Sequence, residues 1–399
     1  MKIADLNECR ICSSSNFEVL LNWEKFPIYI WPIGKKLDPE FERLKVYYCS
    51  NCGLVQLDSF EEGFINKLYV NDSFGLIKTK EFPTTEKKNN DFLNYCYSLM
   101  GESCFKKKRI LDIGGYDFLC NFDIDFLEGV ICDPNAPYQT KRANISVVKE
   151  FFSRSKFNEE QFDFIIAKHI IEHINDLKTF MNDVRYILKE GGKAIIEIPE
   201  LMYALSNINY TFFYHQHLSY FEECSITNLL QLYGFDIVDL QNDKGVIRLI
   251  AERQKRIEFP GFEKNEHLLL EFRRYEKELD AYLRNLERFF TEAVADEQCI
   301  FYGAGSSTVL LLNLNKKIKK YIKSVVDSSE NKIGKKISGT DIIVEAPATI
   351  KKDECQNIVI CSDEFFEEIV EKVKSYKTDF NYLKIYPNFS KVHYTKENA

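Results

Sequence analysis

Short apolar runs alternate with longer amphipathic stretches through the middle of the chain. Arg109 to Gly114, Gly129 to Asp133, Phe162 to Ala167 and Lys193 to Ile198 read as strands, and about Leu177 to Leu188 reads as a helix. This alternation predicts a mostly parallel sheet covered by helices. Further on, apolar residues at Leu268, Phe272, Tyr275, Leu279, Tyr282, Leu286 and Phe289 line one face of a long helix. After it, "QCIFYGAGSSTVLLLN", "YIKSVVDSS", "TDIIV" and "NIVICS" repeat the strand and helix signals and predict a second, smaller α/β unit. The chain before residue 75 shows only short apolar runs such as "VYYCSNCGLVQL", punctuated at Pro27, Pro32 and Gly53, and is predicted to be loop-rich. The Lys-rich "NKKIKKYIKS" is predicted to be a solvated helix end rather than a nucleic-acid patch.

The 399 residues exceed the roughly 250 to 300 at which a single core stops growing. Three parts are therefore expected: 1–75, 76–256 and 257–399. A net charge of −8 gives no basic footprint for nucleic acid or an acidic membrane. No stretch reaches the roughly 18 consecutive apolar residues that span a bilayer, and "MKIADLNECRICSS" lacks a leader's apolar run. Together these predict a cytoplasmic protein whose partner is a small molecule or another protein; the oligomeric state is not legible.

Twelve cysteines in such a chain point to metal ligands, reactive thiols or core residues rather than a disulfide framework. Cys9 with Cys12, and Cys49 with Cys52, form two C-x-x-C knuckles that can close a tetrahedron around one zinc ion. Four thiolates leave no open position, so this zinc is expected to be structural and the chemistry to lie elsewhere.

"ILDIGGYDF" is an apolar strand running into Asp112, Gly114 and Gly115, and "GVICDPN" is another that ends at Asp133. Strand ends at the carboxyl edge of an open α/β sheet form the ligand crevice, and an acid ending the second strand suits ribose hydroxyls. The next pieces are a strand, the "EH-x-x-D" turn of Glu172, His173 and Asp176, a helix, the pair Gly191-Gly192 and a strand closing at Pro199. Their order resembles class I S-adenosylmethionine-dependent methyltransferases. That resemblance places the cofactor on Asp112, Gly114, Gly115, Asp117, Asp133, Pro134, Lys168 and His169. His169 and His173 are spaced to share a helical face as metal ligands, but no carboxylate at matching spacing completes a site.

At "YHQHLSYF" the likeness narrows. With the four cysteines before it, Arg248 in "KGVIRL", the long helix and the final "YGAGSS" after it, the chain resembles bacterial sugar C-methyltransferases acting on nucleotide-linked 4-ketodeoxysugars. The resemblance implies a zinc module, a class I Rossmann-like domain and a C-terminal Rossmann-like α/β domain that helps hold a nucleotide-linked sugar. Carbon methylation beside a ketone needs proton removal and enolate stabilisation. His217 is expected as base and Tyr214 as donor to the ketone oxygen, with His215 orienting its neighbours. Gln216 stands where the family has glutamate, and an amide cannot act as a general base. Phe118 stands where a small residue normally admits the cofactor. O- or N-methylation of a sugar, or a binding protein that has lost catalysis, therefore remain open.

In the last unit, Gly303 and Gly305 follow a strand and Asp327 ends the next, as in a dinucleotide fingerprint, but Thr308 takes the third glycine's place. By resemblance Tyr302, Gly303, Gly305, Ser306, Asp327 and Arg248 are assigned to the sugar nucleotide, with a structural role or NAD binding as alternatives.

Overall fold

The computed structural model describes residues 3–34, 41–60, 63, 83–116, 118–121, 125–136, 140, 142–294, 297–362, 365–386 and 388–395. Asp117 and the expected boundary at 75/76 lie outside the described residues.

The N-terminal part carries strands β1 (Ile3–Ala4), β2 (Phe17–Pro27), β3 (Phe41–Cys49), β4 (Val55–Leu57) and β5 (Ser59–Phe60). It is not the loop-rich stretch expected. β2 and β3 form a long antiparallel hairpin whose register shifts between Val19 and Leu21 and again between Trp23 and Phe26. Each bulge moves side chains to the other face, so the period-two pattern that would have revealed β2 is broken.

After helix α1 (Pro83–Met100) come β6 (Arg109–Ile113), β7 (Glu128–Cys132), β8 (Ile145–Val148), β9 (Phe162–Lys168), helix α2 (Leu177–Ile187) and β10 (Leu188–Pro199). Asp176 caps α2 by accepting from the Thr179 amide at 2.9 Å. Then follow α3 (Leu201–Ser206), β11 (Ser219–Tyr220), α4 (Glu223–Leu232), β12 (Phe235–Asp243) and β13 (Val246–Arg253). Seven of these strands form one sheet in the order β12-β13-β10-β9-β6-β7-β8. β8, β7, β6, β9 and β10 run parallel, while β13 is antiparallel to both its neighbours. The strand order reverses at β6, so the crevice lies where β6, β7 and β9 end, beside Ile113, Cys132 and Lys168.

β11 leaves this sheet altogether. Ser219 pairs with Gln56 and Tyr220 with Val55, giving an N-terminal sheet ordered β11-β4-β3-β2.

Helix α5 (Leu268–Ala293) leads to β14 (Cys299–Tyr302), α6 (Ser306–Leu314), β15 (Ile322–Val326), β16 (Val344–Glu345), β17 (Asn357–Ile360), α7 (Phe366–Lys374), β18 (Asp379–Lys384) and β19 (Ser390–Thr395). Their sheet is ordered β16-β15-β14-β17-β18-β19 and is parallel except for β19. On α5 the fully buried stripe ends at Phe290, four residues after Leu286, while Phe289 is half-buried against the same core. The Lys-rich segment is a 3-10 turn over Lys316–Tyr321 rather than a helix end: Lys316, Lys317 and Lys320 are solvated as expected, while Ile318 and Tyr321 are buried.

One apolar core joins β2 and β3, the 212–220 segment, α5 and the C-terminal sheet. A second joins the cysteine knuckles to α2, α4 and one face of the seven-stranded sheet. No helix among the described residues is long and apolar enough to cross a membrane.

Candidate functional site

The four cysteines converge as their spacing predicts. Cys9 Sγ lies 3.5 Å from Cys52 Sγ, and Cys12 Sγ 3.5 Å from Cys49 Sγ. A zinc tetrahedron with Zn–S bonds of about 2.3 Å has edges of about 3.8 Å, so the donor set fits. Gln56 Nε2 donates to Cys9 Sγ at 3.2 Å, an outer hydrogen bond of the kind that steadies a ligating thiolate. The knuckle is fixed to the middle domain by buried Asn228, which donates to the Cys52 carbonyl at 3.0 Å. Arg10 adds bonds to the Leu57 and Asp58 carbonyls and to Asn175 Oδ1.

At the carboxyl edge of the seven-stranded sheet, the glycines are demanded by their surroundings. Gly114 has φ +68°, and a Cβ there would lie 2.0 Å from Ile170 Cδ1; one at Gly115 would lie 1.9 Å from the Asp112 carboxylate. Asp112 Oδ2 accepts from the Leu119 amide at 3.2 Å. Asp133, buried at the end of β7 beside Pro134, accepts from the amides of Tyr116 and Asn135 at 3.1 and 2.7 Å. Phe118 does not crowd the crevice as the sequence suggested: its ring turns into the core against Phe92, centroids 5.6 Å apart.

β9 ends in a charge network. Buried Glu197 on β10 takes Lys168 Nζ at 3.3 Å, His169 Nε2 at 3.2 Å and Arg248 Nε at 2.7 Å, and Arg248 also reaches Asp243 at 3.0 Å. Burial opposes charge on Glu197, yet His169, Lys168 and Arg248 together hold its carboxyl well below the usual range. Burial likewise works against charge on His169, but Glu172 and Glu197 outweigh it and push the imidazole up to about 9. Arg248, assigned to the substrate from sequence, braces this network.

The residues after β9 form a 3-10 turn over Ile171–His173, and the 212–221 segment is laid across it. Leu218 donates its amide to the Glu172 carbonyl at 2.7 Å, and its carbonyl receives the Leu57 amide at 3.0 Å. The strip is thereby held between the middle domain and the N-terminal sheet. His173 Nδ1 meets the Gln216 carbonyl at 2.7 Å. Tyr214 Oη and His217 Nε2 are 2.5 Å apart, across a turn closed by His217 N–H to Tyr214 O. Tyr214 is half-buried and His217 lies behind it, 8% exposed. Burial, then the neighbouring His173 and His169, drive His217 well below its usual range and keep it neutral. Burial, then the Glu172 charge, raise Tyr214 and keep it protonated.

His215 faces away, bonded through Nε2 to the Arg43 carbonyl at 3.0 Å between the rings of Phe26 and Phe60. Burial pushes it down to about 4. Gln216 is 1% exposed and neither amide atom has a hydrogen-bond partner among the described residues.

Sequence analysis missed Glu172. Its carboxylate is 2% exposed, has no hydrogen bond among the described residues, and lies within 4.8 Å of ring nitrogens of both His173 and His217. Its adjacency to His173 is the signal in the sequence, but a tight 3-10 turn followed by a contact across 45 residues does not obey helical spacing.

In the C-terminal unit, Asp327 is filled by its own surroundings: Ala304 N–H at 2.7 Å, Ser329 N–H at 2.8 Å and Lys332 Nζ at 2.9 Å. Tyr302 Oη meets Ser328 Oγ at 2.8 Å. Gly303 takes φ +102°, and Trp31 of the N-terminal part packs over Gly305 ahead of Ser306, within 3.7 Å of where its Cβ would be. These residues gather at one turn, covered by the N-terminal part.

Residues 86–240 match the family described as methyltransferase domain, and residues 261–382 that described as C-methyltransferase C-terminal domain. C-methyltransferase NovU of Streptomyces niveus is 29% identical over 76 residues, which cover 19% of this chain and 18% of that protein's length. Among solved structures, 1,6-didemethyltoxoflavin-N1-methyltransferase of Burkholderia thailandensis is similar at 15% identity and a TM-score of 0.37, covering 53% of this chain and 99% of that one. An S-adenosylmethionine dependent methyltransferase from Mesorhizobium loti is similar at 13% identity and a TM-score of 0.31, covering 37% and 92%.

Proposed function

We infer that this chain, which belongs to the C-methyltransferases by its two matched domains, methylates a carbon next to a ketone in a nucleotide-linked sugar. S-adenosylmethionine supplies an electrophilic methyl group. Asp112, Gly114, Gly115, Asp133, Pro134, Lys168 and His169 stand at the strand ends where it would be held, and the four cysteines would hold one structural zinc.

The observation that carries this reading is the Tyr214–His217 contact of 2.5 Å beside the turn that ends β9. A carbon acid next to a ketone must lose a proton and have its enolate oxygen stabilised before it can attack a methyl group. Tyr214, half-exposed and protonated, is the member that meets the acceptor; His217, buried and neutral, backs it. The pair handles the proton as a unit, with His217 withdrawn from water behind Tyr214. Gln216 adds a neutral amide able to bond a hydroxyl or carbonyl of the acceptor. The sugar nucleotide is assigned to the same cleft because the C-methyltransferase C-terminal domain, which includes the long helix, shares a core with the strip.

Calorimetry with S-adenosylmethionine tests the cofactor, and no heat or thermal shift overturns the reading. Solvent deuterium wash-in at C3 of a nucleotide-linked 4-ketosugar tests the carbon chemistry. Wild-type protein is expected to exchange, and His217→Ala and Tyr214→Phe to lose exchange by roughly 100-fold or more, the scale of general acid-base catalysis. Unchanged exchange in both variants removes the pair from the chemistry.

A further inference from the structure

Two buried groups beside the turn after β9 complement each other. Tyr214 is protonated and its hydroxyl meets His217 Nε2, so Nε2 is the accepting nitrogen and the neutral imidazole carries its proton on Nδ1. That Nδ1 is buried and has no hydrogen-bond partner among the described residues. Glu172 is 2% exposed, and neither of its oxygens accepts a hydrogen bond among the described residues. Its carboxylate and a ring nitrogen of His217 lie within 4.8 Å. We propose that Glu172 receives the Nδ1–H of His217 and completes a Tyr214–His217–Glu172 proton relay, as a positioning residue that fixes the tautomer and offsets the charge the imidazole gains.

A buried donor and a buried carboxylate without partners are each costly, and one hydrogen bond between them removes both costs. The backbone already brings them together, since the Glu172 carbonyl takes the amide of Leu218, next to His217, at 2.7 Å. His169 does not use up the carboxylate. Its Nδ1 stands 3.5 Å from Oε1 and its Nε2 is turned to Glu197, which leaves Oε2 for His217. Rotation of the Glu172 side chain closes the remaining gap, and contacts of this kind tighten when the reactant binds.

The use of the relay rests on the function proposed above; the contact does not. In the enolising step the acceptor C–H bond breaks, its proton going to Tyr214 Oη as the Tyr214 proton passes to His217 Nε2. The C–H electron pair enters the enolate and then forms the bond to the methyl group, whose former pair stays on sulfur. His217 is now an imidazolium where burial, His173 and His169 oppose its charge. Glu172 supplies the countercharge that Gln216, a neutral amide, cannot.

The contact is read without substrate. In full-length protein labelled with ¹⁵N-histidine, the His217 Nδ1–H, assigned by its loss in His217→Ala, is expected far downfield of an ordinary imidazole N–H and is expected to move upfield in Glu172→Gln. No such resonance in wild type, or one unmoved in the variant, overturns the proposal. Should Glu172→Gln fail to fold by circular dichroism, Glu172→Asp replaces it: drawing the carboxylate back by one methylene must shift the resonance, and an unmoved line refutes the contact. The use is read from deuterium wash-in at C3 of the nucleotide-linked 4-ketosugar against pH. The titratable groups facing His217 among the described residues are Tyr214 and Tyr220 on the strip and Glu172, His173 and His169 at the turn. Glu172→Gln is expected to slow exchange roughly 10-fold or more with half-saturation by the sugar unchanged. The acidic limb of the profile should move to lower pH, because the imidazolium loses its countercharge. Unchanged exchange, or slower exchange with an unmoved limb, overturns the relay. A wild type that shows the resonance without any exchange sinks the methyl-transfer reading and leaves the contact standing.

Discussion

At the scale of single residues, Gln216 shows how function and stability pull apart. A buried amide with neither atom bonded among the described residues is a poor contributor to folding, since replacing an unsatisfied polar group by an apolar one of similar size is neutral or stabilising. Gln216→Leu is therefore expected to raise stability by about 1 kcal/mol in denaturant unfolding, while weakening acceptor binding. A loss of stability would mean that the amide has a partner in solution. His169 gives a prediction in pH. Its imidazole is raised to about 9 by Glu172 and Glu197, so its charged form is favoured by folding. The stability it contributes is complete below the usual histidine value near 6.5 and is lost as pH rises through about 9. In Glu197→Gln the NMR titration of His169 should move down toward 6.5, and an unmoved midpoint would show that Glu197 does not set it. These residues were named from sequence by type and position. Their partners were not, because Glu197, Asp243 and Arg248 meet across strands β10, β12 and β13, whose register no local pattern reveals.

At the scale of elements, the turn after β6 was legible because its chemistry is local. Glycines that must admit a neighbouring side chain, and an acid ending the next strand, leave their mark within 22 residues. Gly115→Ala would drive a Cβ into the Asp112 carboxylate, 1.9 Å away. It is expected to abolish the calorimetric signal of S-adenosylmethionine and to lower the melting temperature, whereas retained binding would show that the turn can yield. β11 was not legible. A two-residue strand has no period, and what makes Ser219 and Tyr220 a strand is the edge offered by Val55 and Gln56 more than 160 residues earlier. That pairing turns the aromatic strip from a loop of the methyltransferase domain into an edge of the cysteine-bearing sheet, and so decides that His217 faces Glu172 and His173 while His215 faces Phe26 and Phe60.

At the scale of the molecule, three parts readable in sequence prove to share their cores. The strip is clamped by Leu218, whose amide goes to Glu172 and whose carbonyl goes to Leu57, so the proton-handling pair depends on the N-terminal sheet being folded. That sheet in turn hangs on four thiolates 3.5 Å apart in pairs, which repel or oxidise unless a cation holds them. Cys49→Ser is accordingly expected to act at a distance. Losing several kcal/mol of metal-linked folding energy should lower the first melting transition by roughly 10 °C or more. Hydrogen exchange should show residues 214–220 losing protection together with β3 and β4, while β14, β15 and β17 keep theirs, since the C-terminal sheet buries its own second core against α7. Deuterium wash-in at the acceptor carbon should fall with the protection of the strip, although no cysteine of the cluster touches Tyr214 or His217. If wash-in persists at the wild-type rate after the N-terminal sheet has lost its protection, the strip keeps its shape without the clamp, and the cysteine cluster serves stability alone.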